Sequence, residues 1–221
     1  SCFRVFVSGL TLETIAGTPV LGVTRLPLDD TFNVMTKRML DVAGALVGLL
    51  LSAPVIAVFS AMVWLESRGP VFYRQRRWGY NGVPFEIIKI RSMKLDAEKS
   101  SGAQWCVKDD PRRLRVGAFM RATNIDELPQ FWNVLKGEMS LVGPRPLLSS
   151  YLELYSPEQA RRHEVLPGIT GWAQVNGWRG NTPLEKRIEY DLYYIENWSV
   201  RLDLKIIWLT LLRGFFHKHA Y

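Results

Sequence analysis

The most pronounced pattern in the chain is an apolar run over Val42–Leu65, which contains no charged residue. A helix rises about 1.5 Å per residue, so a helical run of this length can span a bilayer core of about 30 Å. Near its middle, Pro54 removes one helical hydrogen bond and bends the helix, and the Ser52 hydroxyl can satisfy a freed carbonyl. Basic residues flank both ends, so the positive-inside rule selects neither side. The residues alone slightly favour a simple span over a helix that enters the membrane and returns to the same face.

Alternating positions after this run predict two strands within Val71–Met93, joined by a turn around Tyr80–Gly82. In the second strand the two-residue period places Lys89 and Arg91 on one face and the isoleucines beside them on the other. Two cations on one strand face can receive a diphosphate. The alternative is a solvated strand edge that carries protective charges.

Helical spacing further on predicts a short helix that begins at Asn124, with Glu127 as the return partner of a capping box and Gly137 as the stop. Its apolar face comprises Leu128, Phe131, Trp132 and Leu135. Its polar face comprises Asp126, Gln130 and Asn133.

This helix carries two adjacent carboxylates, Asp126 and Glu127, in its first turn. The positive end of the helix dipole favours the anionic form, so Asp126 is expected to be ionised at neutral pH. An ionised Asp can attack phosphorus, and the two acids together can hold a magnesium ion. Pro144 and Pro146 enclose Arg145 and restrict its backbone, which suits bidentate binding of a phosphate. The alternatives are two acids that only complement the dipole and a solvated arginine in a surface turn.

The segment before the apolar run contains two short apolar stretches, Phe3–Val7 and Pro19–Val23, which are typical of strands around a Thr-rich connection. They cannot bury a core by themselves. We therefore interpret residues 1–30 as the tail of an upstream domain plus a linker, and residues 31–221 as the principal domain.

The remaining patterns predict a mobile loop over Leu95–Asp110 and helices over Asp110–Arg121, from Ser156–Gln159, over Leu184–Tyr194 and over Leu202–Phe216. Arg121 lies five residues before Asp126 and is a further phosphate candidate. The last helix is apolar with basic side chains around it. It fits either an interfacial helix whose cations meet lipid phosphates or an amphipathic core helix.

The composition of the chain indicates which class of partner it binds. The chain has 221 residues and a formal net charge of +7, from 28 Lys+Arg and 21 Asp+Glu, which suggests phosphates, anionic lipid or nucleic acid. Cys2 and Cys106 do not form a disulfide framework, and the histidines make no zinc-ligand spacing with them. Basic residues interleaved with lipid-facing apolar segments argue against nucleic acid.

Several blocks of the sequence occur together in one order: Asp126–Gln130, Asn133–Gly137, Met139–Ser140, Val142–Pro146 and Pro167–Gly177. In these blocks the chain resembles the bacterial sugar transferases, the monotopic polyprenyl-phosphate phosphoglycosyl transferases, over roughly Lys37–Tyr221. The resemblance implies an α+β, mainly helical, membrane-associated catalytic domain with a re-entrant helix-break-helix and amphipathic interfacial helices. It also implies transfer of a sugar-1-phosphate from a UDP-sugar to undecaprenyl phosphate, with release of UMP.

The resemblance also assigns residues. It implies Asp126 as the nucleophile and Glu127 as a partner in magnesium binding or proton transfer. The expected substrate-binding residues are Lys89, Arg91, Arg121, Arg145 and Asp191. The family pattern often has Arg directly after Asn-Gly, whereas this chain has Trp178 there and Arg179 next, so Arg179 is left without a role.

The expected partners are a UDP-sugar, undecaprenyl phosphate and lipid of a bacterial inner membrane, with the active site on the cytoplasmic face; a homodimer is left open. The block Gln174–Gly180 favours UDP-glucose, with UDP-galactose second. Two other protein classes fit the sequence less well. A CDP-alcohol type phosphotransferase needs aspartates along spanning helices, and Val42–Leu65 has none. A non-catalytic basic membrane scaffold gives no reason for the acidic pair beside an arginine held by prolines.

Overall fold

The computed structural model describes residues 10–15, 18–23, 26–95, 112–146, 156–180 and 182–213. Within these residues the helices are α1 (Thr31–Glu66), α2 (Arg115–Thr123), α3 (Gln130–Lys136), α4 (Pro157–Ala160), α5 (Trp172–Val175), α6 (Leu184–Glu196) and α7 (Val200–Arg213). The antiparallel strand pairs are β1 (Leu10–Ile15) with β2 (Thr18–Val23) and β3 (Phe72–Trp78) with β4 (Pro84–Ile90). The parallel pair is β5 (Ser140–Val142) with β6 (Gly168–Thr170). The predicted mainly helical α+β class is confirmed.

Helix α1 contains the apolar run and is long and apolar enough, by length and composition alone, to cross a membrane. Its 36 residues correspond to about 54 Å. At its start the Asp30 carboxylate accepts the N–H of Asn33 at 3.1 Å. The helix continues through Pro54. The Ser52 hydroxyl donates to the carbonyl of Leu49 at 3.4 Å, one residue before the carbonyl that Pro54 leaves without its helical partner.

The first half of α1 is attached by buried polar groups. Lys37 Nζ lies 2.8 Å from Asp203 Oδ2 on α7. Asp41 Oδ1 accepts hydrogen bonds from the Ser140 hydroxyl and from the N–H of Leu141, each at 2.9 Å. These bonds tie α1 to α7 and to β5.

Two glycines on the same part of α1 allow a close approach. A Cβ on Gly44 would lie 2.4 Å from Leu141 Cδ1, and one on Gly48 would lie 2.7 Å from the Phe131 ring. A side chain at either position would have to displace Leu141 or the Phe131 ring.

The second half of α1 joins a separate buried cluster made of Val63, Ile90, Leu114 and Met120. At its end, the Glu66 carboxylate accepts the N–H groups of Arg115 and Val116 at 2.7 and 3.1 Å, so the last residue of α1 caps α2. Large apolar side chains of α1 that remain exposed include Leu46, Val47, Leu50, Leu51 and Val58. Both halves of α1 are thus attached to the packed domain, while an apolar surface between the attachments is not covered.

The larger core is organised around a buried carboxylate on α7. Asp203 is fully buried, and besides Lys37 it has Tyr194 Oη at 2.8 Å and accepts from Trp198 Nε1 at 3.2 Å. Other buried members of this core include Val134, Met139, Val142, Ile195 and Ile206. A buried charge needs such partners, because burial removes its hydration.

The hairpin formed by β3 and β4 is confirmed, with its turn at Tyr80–Gly82. Asn81 and Gly82 adopt φ values of 50° and 70°, the left-handed region that Asn and Gly tolerate best. Before α1 the outcome is mixed. β2 matches the predicted strand, but β1 lies in the segment predicted as a connection, because its β-branched residues pair as a strand. The other predicted strand, Phe3–Val7, lies outside the described residues.

Most helices after the hairpin occur where the sequence predicts helices, but several of their first and last residues differ from the predicted ones. The helices predicted from Ser156–Gln159 and over Leu184–Tyr194 are confirmed as α4 and α6. The helix predicted from Asp110 begins only at Arg115, because Arg113 forms a bridge with Met93 and is extended. Most of the predicted loop over Leu95–Asp110 lies outside the described residues. The last helix, α7, exposes the apolar side chains of Leu204, Trp208, Leu211 and Leu212.

The buried pair between α1 and α7 leads to a stability prediction. Lys37→Met leaves the Asp203 carboxylate buried without its cation and is expected to lower the free energy of unfolding by about 3 kcal/mol. Thermal or denaturant unfolding of the detergent-solubilised protein measures this. Lys136→Met is the control: its pair with Glu138 is partly exposed, and its loss is expected to cost less than about 1 kcal/mol. Equal destabilisation by the two variants would contradict the role given to Lys37.

Candidate active site

The acidic pair lies in a tight turn between two helices. Asn124 ends α2 in the left-handed conformation (φ 57°), a 3-10 turn covers Ile125–Glu127, and α3 begins only at Gln130. The predicted continuous helix from Asn124 is therefore wrong. Pro129 has no N–H to continue the hydrogen-bond ladder, so α3 starts after it. The predicted cap is also wrong, since no cap hydrogen bond forms at Asn124.

The two faces predicted for this helix are partly reversed. The polar side chains of Asp126, Gln130 and Asn133 are buried, whereas Trp132 is 53% exposed. Asn133 accepts the N–H of Ile88 at 3.1 Å and donates to the carbonyl of Glu86 at 2.7 Å. Its amide thereby pairs with the edge of β4 as a neighbouring strand would. A polar side chain that satisfies backbone groups can be buried, which hydrophobic periodicity does not reveal.

This docking brings Lys89 on β4 to the acidic pair. Lys89 Nζ lies 2.7 Å from Glu127 Oε1. Arg145 contacts the same carboxylate with both of its terminal nitrogens, at 3.1 Å from Oε2 and at 2.5 Å from Oε1. Burial alone would raise the pKa of Glu127, but the charges of Arg145 and Lys89 outweigh it and hold the pKa well below its usual range. Glu127 is therefore an anion already bound by two cations.

Asp126 has a different environment although it is the adjacent residue. Its side chain is buried, and it makes no hydrogen bond within the described part of the chain. Burial raises the pKa of Asp126 to about 6; the charge of Lys89 opposes the rise and that of Glu127 adds to it. Asp126 is thus mainly ionised at pH 7, as expected. The expected cause, a helix dipole that favours the anion, is wrong, because the acids lie in a three-residue turn and the pKa of Asp126 is raised.

The other predicted site residues are distributed unevenly around this turn. Arg121 donates from Nε to the Ser92 hydroxyl at 2.9 Å, and its charge opposes the rise in the pKa of Asp126, so it borders the site. Arg91 follows the end of β4 and does not continue its alternation. Its buried guanidinium donates to the carbonyl of Ser67 at the end of α1. The prediction that Arg91 shares a strand face with Lys89 is corrected accordingly.

Asp191 reaches the site through a second residue. Its carboxylate lies 2.7 Å from Arg162 Nη2, and both side chains are buried. The same nitrogen of Arg162 donates to the backbone carbonyl of Arg145 at 2.8 Å. Burial raises the pKa of Asp191 to about 6, against the charges of Arg162 and Arg187. Asp191 therefore holds the arginine that supports Arg145.

The backbone on either side of Arg145 is fixed by contact with β6 and the residues around it. Gly143 donates its N–H to the carbonyl of Thr170, and Gly168 donates to the carbonyl of Pro144, each at 2.9 Å. A Cβ on Gly168 would lie 2.1 Å from the nitrogen of Gly143, so only glycine allows this approach. The rigidity expected from the two prolines is thus reinforced by a paired strand, and the glycines of the Pro167–Gly171 block have a structural reason.

A cleft beside Arg145 contains residues that sequence reasoning did not assign. Its lining includes Arg145, Arg162, Arg179, Arg187, Trp178 and Asp191. Arg179 donates to the Asn124 side chain at 3.3 Å, directly before the acidic turn. No periodicity marks these arginines, because they come from separate segments that only the fold brings together. For Arg162 and Arg187 the basic composition was the one sequence signal, whereas the flanking prolines had marked Arg145.

The acidic turn offers oxygen ligands for a divalent cation. The described residues contain no group of three or more His, Cys, Asp or Glu that could hold a metal ion. Mg²⁺ is usually held by one or two carboxylates together with substrate phosphates and water. The Asp126 carboxylate, which has no hydrogen-bond partner among the residues that the structure describes, fits that arrangement, and Glu127 fits it after exchanging one of its cations.

Comparison with known proteins gives the family. A family model described as bacterial sugar transferase matches residues 32–217, and the chain belongs to this family. The chain is 46% identical over 217 residues to UDP-glucose:undecaprenyl-phosphate glucose-1-phosphate transferase from Escherichia coli (strain K12), covering 95% of this chain and 46% of that protein. It is 48% identical over 178 residues to the uncharacterized sugar transferase EpsL from Bacillus subtilis (strain 168), covering 80% and 86%.

A third relative, from Caulobacter vibrioides, is also called UDP-glucose:undecaprenyl-phosphate glucose-1-phosphate transferase. It is 44% identical over 192 residues, which cover 84% of this chain and 72% of that protein. The chain spans about half the length of several curated relatives it matches. The resemblance stated from the motifs is thereby confirmed.

The contrast between the two acids leads to a prediction about stability. Glu127→Gln leaves two partly buried cations without their anion and is expected to destabilise the fold by about 1–3 kcal/mol. Asp126→Asn removes a buried carboxylate that receives no hydrogen bond from the described part of the chain, so the melting temperature of this variant is expected to equal or exceed that of the wild type. Thermal unfolding of both variants at pH 7 tests the contrast, and a loss of stability in Asp126→Asn as large as in Glu127→Gln would refute it.

Proposed function

We propose that this chain transfers a sugar-1-phosphate from a UDP-sugar, UDP-glucose in the first place, to undecaprenyl phosphate. The observation that carries the proposal is the buried Asp126 carboxylate, which no described residue hydrogen-bonds, next to a carboxylate that holds Lys89 and Arg145. An ionised carboxylate with no partner is a competent nucleophile, and cations beside it suit a diphosphate. The names of the relatives from Escherichia coli and Caulobacter vibrioides support the donor and the acceptor.

The proposed reaction has two displacements at one phosphorus. An Asp126 oxygen attacks the phosphorus bonded to the sugar, and the bond from that phosphorus to the bridging oxygen breaks. UMP leaves with the electron pair of that bond. An oxygen of undecaprenyl phosphate then attacks the same phosphorus and releases the Asp126 carboxylate, which gives undecaprenyl-diphosphate-sugar. A covalent route lets a soluble donor and a membrane acceptor use one site in turn.

The neighbouring side chains have separate roles in this scheme. Lys89 and Arg145 exchange the Glu127 carboxylate for donor phosphates, which they can bind with similar hydrogen bonds. Arg121 adds positive charge beside Asp126. Asp126 and Glu127 would hold Mg²⁺, which when bound neutralises charge on the leaving phosphate. Glu127, once released, can also accept or donate a proton.

The packing of α1 supports a re-entrant arrangement in the membrane. Its first half is bonded to α7 and β5, and its last residue caps α2, so both halves are attached to one polar domain. A polar domain cannot extend through a bilayer to hold both ends of a span. The exposed apolar surface around Pro54 would then enter the membrane and return, and the exposed apolar side chains of α7 would lie in the interface. We place the domain on the cytoplasmic face of the inner membrane.

The activity is tested with the full chain in nanodiscs that contain undecaprenyl phosphate and Mg²⁺. UMP release is expected to be faster with UDP-glucose than with UDP-galactose and to stop when the metal is chelated. With donor and no acceptor, mass spectrometry is expected to find a hexose phosphate on Asp126. Asp126→Asn should show neither turnover nor adduct, whereas Asp29→Asn, at an exposed acid before α1, should retain both. Turnover without an adduct would mean direct displacement, and no UMP release would favour a non-catalytic membrane scaffold.

The topology is tested by single cysteines at Thr36 and Ser67, which flank the apolar run, in a chain with Cys2→Ser and Cys106→Ser. Both positions are expected to resist a thiol reagent that cannot cross the inner membrane of intact cells, and both should react after lysis. Labelling of one position in intact cells would instead establish a simple span. Adding Pro54→Leu is expected to straighten the helix and increase that labelling.

A further inference from the structure

The cleft beside Arg145 has an excess of positive charge. Arg145, Arg162, Arg179 and Arg187 line it, and Asp191 is the carboxylate among its lining residues. Asp191 is committed to Arg162 through a buried ion pair at 2.7 Å. Arg145 pairs with Glu127. Among the described lining residues, four guanidinium groups thus stand beside one carboxylate.

Arg179 lines this cleft without an ion pair from the described residues. Its hydrogen bond goes to a neutral group, the Asn124 side-chain oxygen, and no ion pair to it occurs in the part of the chain that the structure describes. Burial, and then the charge of Arg145, lower the pKa of Arg179, and the charge of Glu127 opposes them without preventing the decrease. Two guanidinium groups held near each other in partly buried surroundings repel, and an anion bound between them removes that cost.

The position of Arg179 points to a particular anion. Asn124 lies two residues before Asp126, so the Arg179 guanidinium is anchored at the acidic turn itself. In the proposed reaction the sugar-bearing phosphorus must be at Asp126. The second phosphate of the donor is one bridging oxygen away, and after cleavage it carries the additional negative charge of UMP. A cation pair next to the nucleophile is suited to that group.

We propose that Arg179 and Arg145 form the subsite for the nucleotide phosphate, the phosphate that leaves on UMP. Arg179 binds it directly, Asn124 orients Arg179, and the pair Asp191–Arg162 orients Arg145 through its backbone carbonyl. This inference rests on the proposed function for the identity of the nucleotide. It goes further in assigning a residue that the family pattern did not identify and in separating the two phosphates of the donor.

The test measures binding of UMP and of inorganic pyrophosphate to the full chain in nanodiscs by titration calorimetry. Arg179→Gln is expected to weaken both probes about tenfold or more, as for the loss of a charge-assisted hydrogen bond. Arg179→Lys should recover part of the affinity. Asn124→Gly keeps the left-handed backbone and removes the anchor, so a loss of a few fold is expected. Arg74→Gln, in an exposed ion pair with Glu86, is the matched control and should bind as the wild type does.

Two comparisons decide between the possible outcomes. UMP and pyrophosphate binding that is unchanged in a folded Arg179→Gln, or absent from the wild type, overturns the subsite. Weaker UMP with unchanged pyrophosphate also overturns it, because Arg179 would then contact the nucleoside. If the wild type releases no UMP from any UDP-sugar but binds both probes through Arg179, the proposed function fails and the anion site stands. If Arg179→Gln turns over UDP-sugar and is inhibited by UMP as the wild type is, the subsite fails and the proposed function stands.

Discussion

The attachment of α1 to the rest of the domain is the constraint on which this structure depends. The helix exposes apolar side chains along much of its length, yet buried polar contacts fix its first half and a carboxylate cap fixes its end. Hydrophobic contact alone would allow the helix to slide or rotate, whereas hydrogen bonds to Asp41 and the Lys37–Asp203 pair define one position. Because β5 accepts one of these attachments and leads into Arg145, the same contacts order the active site.

Within the site, two neighbouring acids differ because of their surroundings. Glu127 has two cations and a lowered pKa, while Asp126 has burial and a raised one. Titratable groups whose environments separate their pKa values commonly divide the roles of a reaction. Here the division suggests that the acid with bound partners organises charge and the acid without hydrogen bonds meets the substrate. The raised pKa also means that the fold does not stabilise the anion of its proposed nucleophile, which keeps that anion reactive.

How much the sequence could predict depends on whether a feature is local. The apolar helix, the β3–β4 hairpin with its Asn-Gly turn, and the pair Asp126–Glu127 are written in neighbouring residues and were found. The burial of Asn133 and the support of Arg145 by Arg162 depend on partners more than fifteen residues away in the sequence. Local sequence patterns therefore do not predict them. The predicted helix from Asn124 failed because that residue adopts a left-handed conformation and ends α2, with its N–H bonded to carbonyls in the last turn of that helix.

The cap that Glu66 provides to α2 has a consequence for the position of the site relative to the lipid. The residue at the end of the membrane helix holds the start of the helix that leads to the acidic turn. With α1 also anchored near its beginning, the distance of Asp126 from the exposed apolar surface of α1 is set by covalent geometry and a few hydrogen bonds. In the proposed reaction the acceptor phosphate is confined to the headgroup layer, and the domain would then act as a fixed spacer that matches the Asp126 carboxylate to that layer.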